Sequence, residues 1–269
     1  MKLMLTGLAA ILLSSLLPPP AATQSGAPGK SPATADSTPV VVELFTSEGC
    51  SSCPPADALL SSLESTQPVS GAHVVAIEEH VDYWNHSGWV DPFSSPEWTA
   101  RQQDYAAVFR RDGEYTPQMV VGGRAEFVGS RSDLASRAIN EALKLPRVMV
   151  TVTPSGGDGA KEPRFAVRVE KLPLLSPGDS AEVLILVTET GLASQVARGE
   201  NQGRNLHHAS VLRSLRRIGA AGPAGPAFEG TVAVKLKSEW KRDALTAVVL
   251  VQEKKSRHIL GAASARISN

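Results

Sequence analysis

Two cysteines stand three positions apart in Gly49-Cys50-Ser51-Ser52-Cys53-Pro54-Pro55, and the chain has no others. A pair at this spacing closes into a small disulfide or opens to a dithiol. In thiol–disulfide exchange the attacking species is a thiolate, and a second thiol within reach resolves the mixed disulfide. The unpaired N–H groups and dipole of a helix N-terminus favour an anionic sulfur. Cys50 therefore reads as the nucleophile of an oxidoreductase and Cys53 as its resolving partner. A purely structural bridge is the other reading, although so short a loop removes little entropy from the unfolded chain. The chemistry requires no cofactor.

The flanking residues show how such a pair is held. Val40 to Phe45 is an apolar, β-branched run of the kind that forms a buried strand. Thr46 to Gly49 make a turn. Ala56, Leu59, Leu60 and Leu63 then share one face of a helix. The strand delivers Cys50 to the helix start and places Cys53 one turn further on. Pro54 and Pro55 lack N–H groups, so a helix beginning at Cys50 would be distorted or would start later.

A second strand, His73 to Val81, runs into His80-Val81-Asp82-Tyr83-Trp84-Asn85-His86, followed by Gly88-Trp89 and Asp91-Pro92-Phe93. This concentration of aromatic residues is unusual in a chain with only 5% of them. Loops beyond strand ends are where α/β folds bind ligands. His80, Asp82, Tyr83 and Trp84 are therefore candidates for a substrate groove beside the cysteines, or else a packed aromatic cap. Glu78, His80, Asp82 and His86 are also metal donors by type. A rival, non-enzymatic reading joins His80 to Cys50 and Cys53 in a copper or zinc site.

Pro96 opens a helix to about Arg110, with Trp98, Tyr105 and Phe109 inward and Arg101, Gln102, Asp104 and Arg111 towards solvent. Tyr115-Thr116-Pro117-Gln118 leads a short strand. Gly122-Gly123 turns it into Ala125 to Val128, and a last helix covers Ser132 to Leu145. From Arg147 the texture becomes strand-like, with Pro/Gly-rich turns, and predicts a mainly-β, sandwich-like domain. His207 and His208 close a polar loop that begins at Arg198. Val211, Leu212, Leu215 and Ile218 fit one face of a helix.

The chain is thus predicted to comprise a signal peptide (1–22), a disordered linker (23–38), an α/β domain (39–146) and the β-domain (147–269). Lys2, the apolar run Leu3 to Leu17 and the small residues after Pro18 are the signal features, and they imply export to an oxidising compartment. With 27 basic and 27 acidic side chains, no net field selects nucleic acid or an anionic membrane. The expected partners are protein or low-molecular-weight thiols and disulfides, together with a redox partner.

The order strand, C-x-x-C helix, strand, helix, proline-led strand, hairpin strand, helix resembles the thioredoxin fold over Val40 to Leu145. That resemblance implies a cis Pro117 facing the disulfide and a Thr116 backbone that pairs with an extended substrate. It also implies a buried acid beneath the disulfide. Glu43 is the nearest match, with a carboxyl that burial would raise and that would carry the resolving thiol's proton; the other reading sets Glu43 at the strand end, facing water. Ser51-Ser52 replaces the Gly-Pro of thioredoxin, and Gly49 stands in place of its tryptophan. Glu43 to Asp57, His80 to Asn85, Gly88-Trp89, Asp91-Pro92-Phe93, Tyr115 to Gln118 and Gly129-Ser130 are similar to a closer group. It comprises exported bacterial thioredoxin-like proteins classed as a domain of unknown function. Their Gly-Glu-Asn-x-Gly stretch matches Gly199 to Gly203, and the likeness favours a strand at 211–218.

Overall fold

The structure is a computed structural model that describes residues 37–156, 161–223 and 225–267. The expected signal peptide and nearly all of the linker lie outside the described residues. Among those described, no helix is long and apolar enough to cross a membrane.

β1 (Thr38–Thr46) leads through α1 (Pro54–Thr66) to β2 (Ala72–His80), which lies parallel to it. α2 (Pro96–Phe109) follows. Then come the antiparallel strands β3 (Gln118–Val121) and β4 (Ala125–Val128), and α3 (Ser132–Leu143). The remainder is almost entirely strand: β5 (Val150–Pro154), β6 (Arg164–Val169), β7 (Ala181–Glu189), β8 (Leu192–Gln195), β9 (Asn205–His208), β10 (Val211–Ala221), β11 (Phe228–Ala233), β12 (Leu245–Glu253) and β13 (Ile259–Arg266). The segment at 211–218 is a strand.

One mixed sheet of eight strands runs β13-β12-β7-β10-β2-β1-β3-β4, so it crosses the division expected at residue 146. The physical reason lies in β2. Its outer edge would expose a row of unpaired backbone groups, and β10 covers part of that row. The two strands run parallel at Val211 and Glu78, and Glu78 N–H donates to the Ser210 carbonyl at 3.0 Å. The sandwich-like element is a separate three-stranded sheet, β11-β6-β5. Val150, Phe165 and Val167 from it share a core with Val183, Ile185, Val249 and Val251 of β7 and β12.

Strand alternation sorts the first half into two faces. Val40, Val42 and Leu44 pack with Ala56, Leu60 and Leu63 of α1 and with Ile139 of α3. Val41 and Phe45 point the other way, towards Trp98 and Tyr105 of α2. Gln252 of the second half meets Arg101, and Tyr83, Tyr115 and Gln118 meet Gln102, which corrects the expectation that Arg101 and Gln102 face water. Both are buried, 6% and 0% exposed.

Candidate functional site

α1 starts at Pro54 rather than Cys50, with Cys53 at the N-cap and proline in the first positions. Prolines fit there because those N–H groups would have no helical partner anyway. Cys50 lies one turn earlier, in a tight loop where Cys53 N–H donates to the Cys50 carbonyl at 3.2 Å. The two cysteines form a disulfide, Cα atoms 5.5 Å apart. Ser51 and Ser52 between them are exposed, yet both cysteines are 0% exposed.

The residues around this bridge come from distant parts of the chain. The Thr116–Pro117 peptide is cis. Gly129 lies between that loop and α1, where an added Cβ would sit 3.1 Å from Ala56 Cβ and 3.3 Å from Pro117 Cβ. Trp84 Nε1–H donates to Thr116 Oγ1 at 2.8 Å. The same Trp84 explains Gly49, because a Cβ there would be 3.1 Å from Trp84 Cβ. The turn between β8 and β9 closes over the other side. Fully buried Asn201 donates through Nδ2 to the carbonyls of Glu48 and Cys50, both at 2.9 Å. Ser51 N–H donates to Glu200 Oε2 at 3.1 Å. Sequence reasoning missed these contacts, although the Gly-Glu-Asn-x-Gly stretch was their trace.

Glu43 does not lie beneath the disulfide. It is buried, but it belongs to the odd-numbered face of β1 and points at α2, on the side of the sheet away from α1. Arg101 Nε–H donates to Glu43 Oε1 at 2.8 Å and Tyr105 O–H donates to Glu43 Oε2 at 2.6 Å. Arg101 Nη1–H also donates to Gln252 Oε1 at 3.1 Å, which ties β12 to this network. Glu79 lies beside the guanidinium at 3.4 Å, and burial raises its carboxyl well above the usual range.

The acid on the disulfide side is Asp57, one turn after Cys53 and 4% exposed. Burial, reinforced by the charge of Glu78, raises its pKa to about 7 against the opposing hydrogen bond from Thr46 Oγ1 at 2.6 Å. Nothing in the local pattern marked it, since a first-turn aspartate ordinarily just offsets the helix dipole.

His80 is buried deeper than a groove residue. Its Nδ1 donates to Asp91 Oδ2 at 2.7 Å, and Asp91 also accepts from Glu48 N–H at 2.8 Å. His208, at the end of β9, joins it: Nδ1 lies 2.8 Å from Glu78 Oε1 and Nε2 3.0 Å from Glu48 Oε1. Burial pulls the His208 imidazole down, but its bonds to Glu48 and Glu78 prevail and lift it to about 9. His207 is exposed. Asp82 accepts from Thr99 Oγ1–H at 2.6 Å, and Tyr83 O–H donates to Gln102 Oε1 at 3.1 Å. These two side chains fasten the loop to α2. His86 is exposed, and neither it nor Asp82 belongs to the cluster around His80. With both sulfurs in a disulfide, the Cys50–Cys53–His80 metal set has no thiolate in this state.

These features define a mixed α/β protein with few helices and a buried disulfide at the foot of one of them. The chain belongs to the family described as "Protein of unknown function (DUF1223)", which it matches over residues 41–252. An X-ray structure of a protein from Agrobacterium tumefaciens is similar, with a TM-score of 0.64 at 25% identity over 86% of this chain and 95% of that one. HBP35 of Porphyromonas gingivalis shares the fold, with a TM-score of 0.58 at 15% identity over 87% of this chain and 76% of that one. No curated protein matches the sequence.

Proposed function

We propose that the chain is an exported thiol–disulfide oxidoreductase of thioredoxin-like architecture, acting through Cys50 and Cys53. The observation that carries the reading is the disulfide at the foot of α1, with the Thr116–Pro117 loop packed near Ala56 in the first turn of that helix across Gly129. The strand order β2-β1-β3-β4, with β1 and β2 parallel and β3 and β4 antiparallel, is the arrangement such a centre needs.

In the reducing direction the Cys50 thiolate attacks one sulfur of a substrate disulfide. A mixed disulfide forms and the other substrate sulfur leaves as a thiolate. Cys53 loses its proton and attacks Cys50, closing the bridge and releasing the second substrate thiol. Two electrons and two protons pass to the substrate. Asp57, one helical turn from Cys53, is placed to accept the resolving thiol's proton, the role expected of Glu43. The same steps in reverse oxidise a dithiol, and the relative potentials of the two couples set the direction. Thr116 would present its backbone to an extended substrate segment.

Burial of both cysteines favours a second reading, a closed structural bridge. Turnover under the first reading requires the Glu200–Asn201 turn or Trp84 to move. The two separate in an insulin-reduction assay driven by dithiothreitol. The oxidoreductase accelerates precipitation catalytically and Cys50→Ser is inactive. Equal rates for the wild type and Cys50→Ser would leave only the structural bridge.

A further inference from the structure

A second constellation lies at the seam where β10 joins β2, apart from the sulfur chemistry. One carboxylate oxygen of Glu78, one nitrogen of His80 and one nitrogen of His208 lie within 4.8 Å of one another, and all three residues are buried. His80 Nε2 is fully buried and has no hydrogen-bond partner. It faces Glu78 Oε1 at 3.4 Å. A buried donor atom left unpaired is costly, so something is expected to meet it.

The outer atoms of the same three residues are already engaged. Asp91 takes the Nδ1 proton of His80 at 2.7 Å, and Glu48 takes the Nε2 proton of His208 at 3.0 Å. Ala209 N–H donates to Glu78 Oε2 at 2.8 Å. Inwards, Nε2 of His80 is unpaired, while Nδ1 of His208 and Oε1 of Glu78 meet each other at 2.8 Å. Imidazoles backed by carboxylates are the usual outer shell of a metal-binding histidine. The 3.4 Å from Glu78 Oε1 to His80 Nε2 matches the ~3.4 Å edge of a tetrahedron with ~2.1 Å bonds, and the 2.8 Å to His208 Nδ1 is a hydrogen bond that a bound cation would replace.

We propose that Glu78, His80 and His208 bind a divalent cation of the zinc class. Two imidazoles and one carboxylate suit a borderline cation better than calcium or magnesium, which prefer oxygen donors alone. The ring protons on the two ligating nitrogens pass to solvent as the cation binds. The site would fasten the end of β2 to β9, and so hold the turn bearing Asn201 against Cys50. It stands whether or not the disulfide is catalytic.

The test uses the full chain, stripped of metal by a chelator and then titrated with Zn2+ by calorimetry and elemental analysis. The disulfide form and Cys50→Ser/Cys53→Ser are each expected to bind one equivalent that excess Ca2+ and Mg2+ do not displace. His80→Gln and His208→Gln, checked for native near-UV circular dichroism, should lose it, while His207→Ala keeps it. Should either glutamine variant fail to fold, X-ray absorption of the zinc-loaded wild type decides independently. The expected spectrum is a nitrogen/oxygen shell at ~2.0–2.1 Å with imidazole scattering and no sulfur shell at ~2.3 Å. A folded wild type without stoichiometric Zn2+, binding that survives in both folded glutamine variants, or a sulfur shell would each overturn the proposal.

Discussion

Asn201 is the side chain whose loss should expose the disulfide. Asn201→Ala removes two hydrogen bonds, to the carbonyls of Glu48 and Cys50 at 2.9 Å, made by a fully buried amide. At about 1 kcal/mol net for each, the loss is about 2 kcal/mol of closure of the β8–β9 turn over the Cys50 loop. Reduction through local opening follows the open population, so at 1.4 kcal/mol per tenfold the bridge should be reduced about 30-fold faster. The assay is pseudo-first-order reduction by dithiothreitol, quenched with a thiol-trapping reagent and read as a mass shift. Val249→Ala, in the core shared by the two sheets, serves as a control for general loss of stability. It should melt earlier without a matching gain in reduction rate. An Asn201→Ala protein that keeps its fold and is reduced within twofold of the wild-type rate would refute the idea that this turn guards the sulfurs.

Asp57 yields a signed pH dependence. Its folded pKa is raised from 3.8 to about 7, so the native state holds the proton more tightly than the unfolded chain. Wild-type stability should therefore fall from this source as pH rises from about 4 through about 7. Asp57→Asn removes that slope, so in urea unfolding the variant should gain on the wild type by roughly a few kcal/mol across the window; a gain that shrinks with pH contradicts the assignment. Arg101→Met strands Glu43 in the core and should cost roughly 3–5 kcal/mol, with part regained in Arg101→Met/Glu43→Gln. Additivity of the two changes in denaturant melts would count against the pair. Gly123→Ala places a Cβ on the Arg257 carbonyl at a φ of +66°, and a loss above about 3 kcal/mol is expected. A near-wild-type thermal midpoint would show that the β3–β4 turn is not tied to the β12–β13 turn as described.

Local chemistry was enough to read the motif and most of the first half. An apolar β-branched run, two thiols three apart and a leucine face are short-range patterns, and each maps onto β1, the Cys50 loop or α1. The same reasoning misplaced Glu43, because a strand's period of two decides its face and only the packing of α1 and α2 says which face holds the sulfurs. Residues in contact but distant in the chain left at most a motif, and no sign of their partners. Asn201 on Cys50, His208 on Glu78 and Gln252 on Arg101 each bridge well over a hundred positions. The eight-stranded sheet runs across residue 146 for a related reason: periodicity reveals strands but not their neighbours, and β10 pairs with β2 because that edge was open. The sequence by itself determined the sulfur pair and the elements carrying it. Tertiary structure decided that the pair is covered, that Asp57 rather than Glu43 stands on its side of the sheet, and that two histidines and a glutamate meet at the seam, since burial and convergence depend on which distant segments pack together.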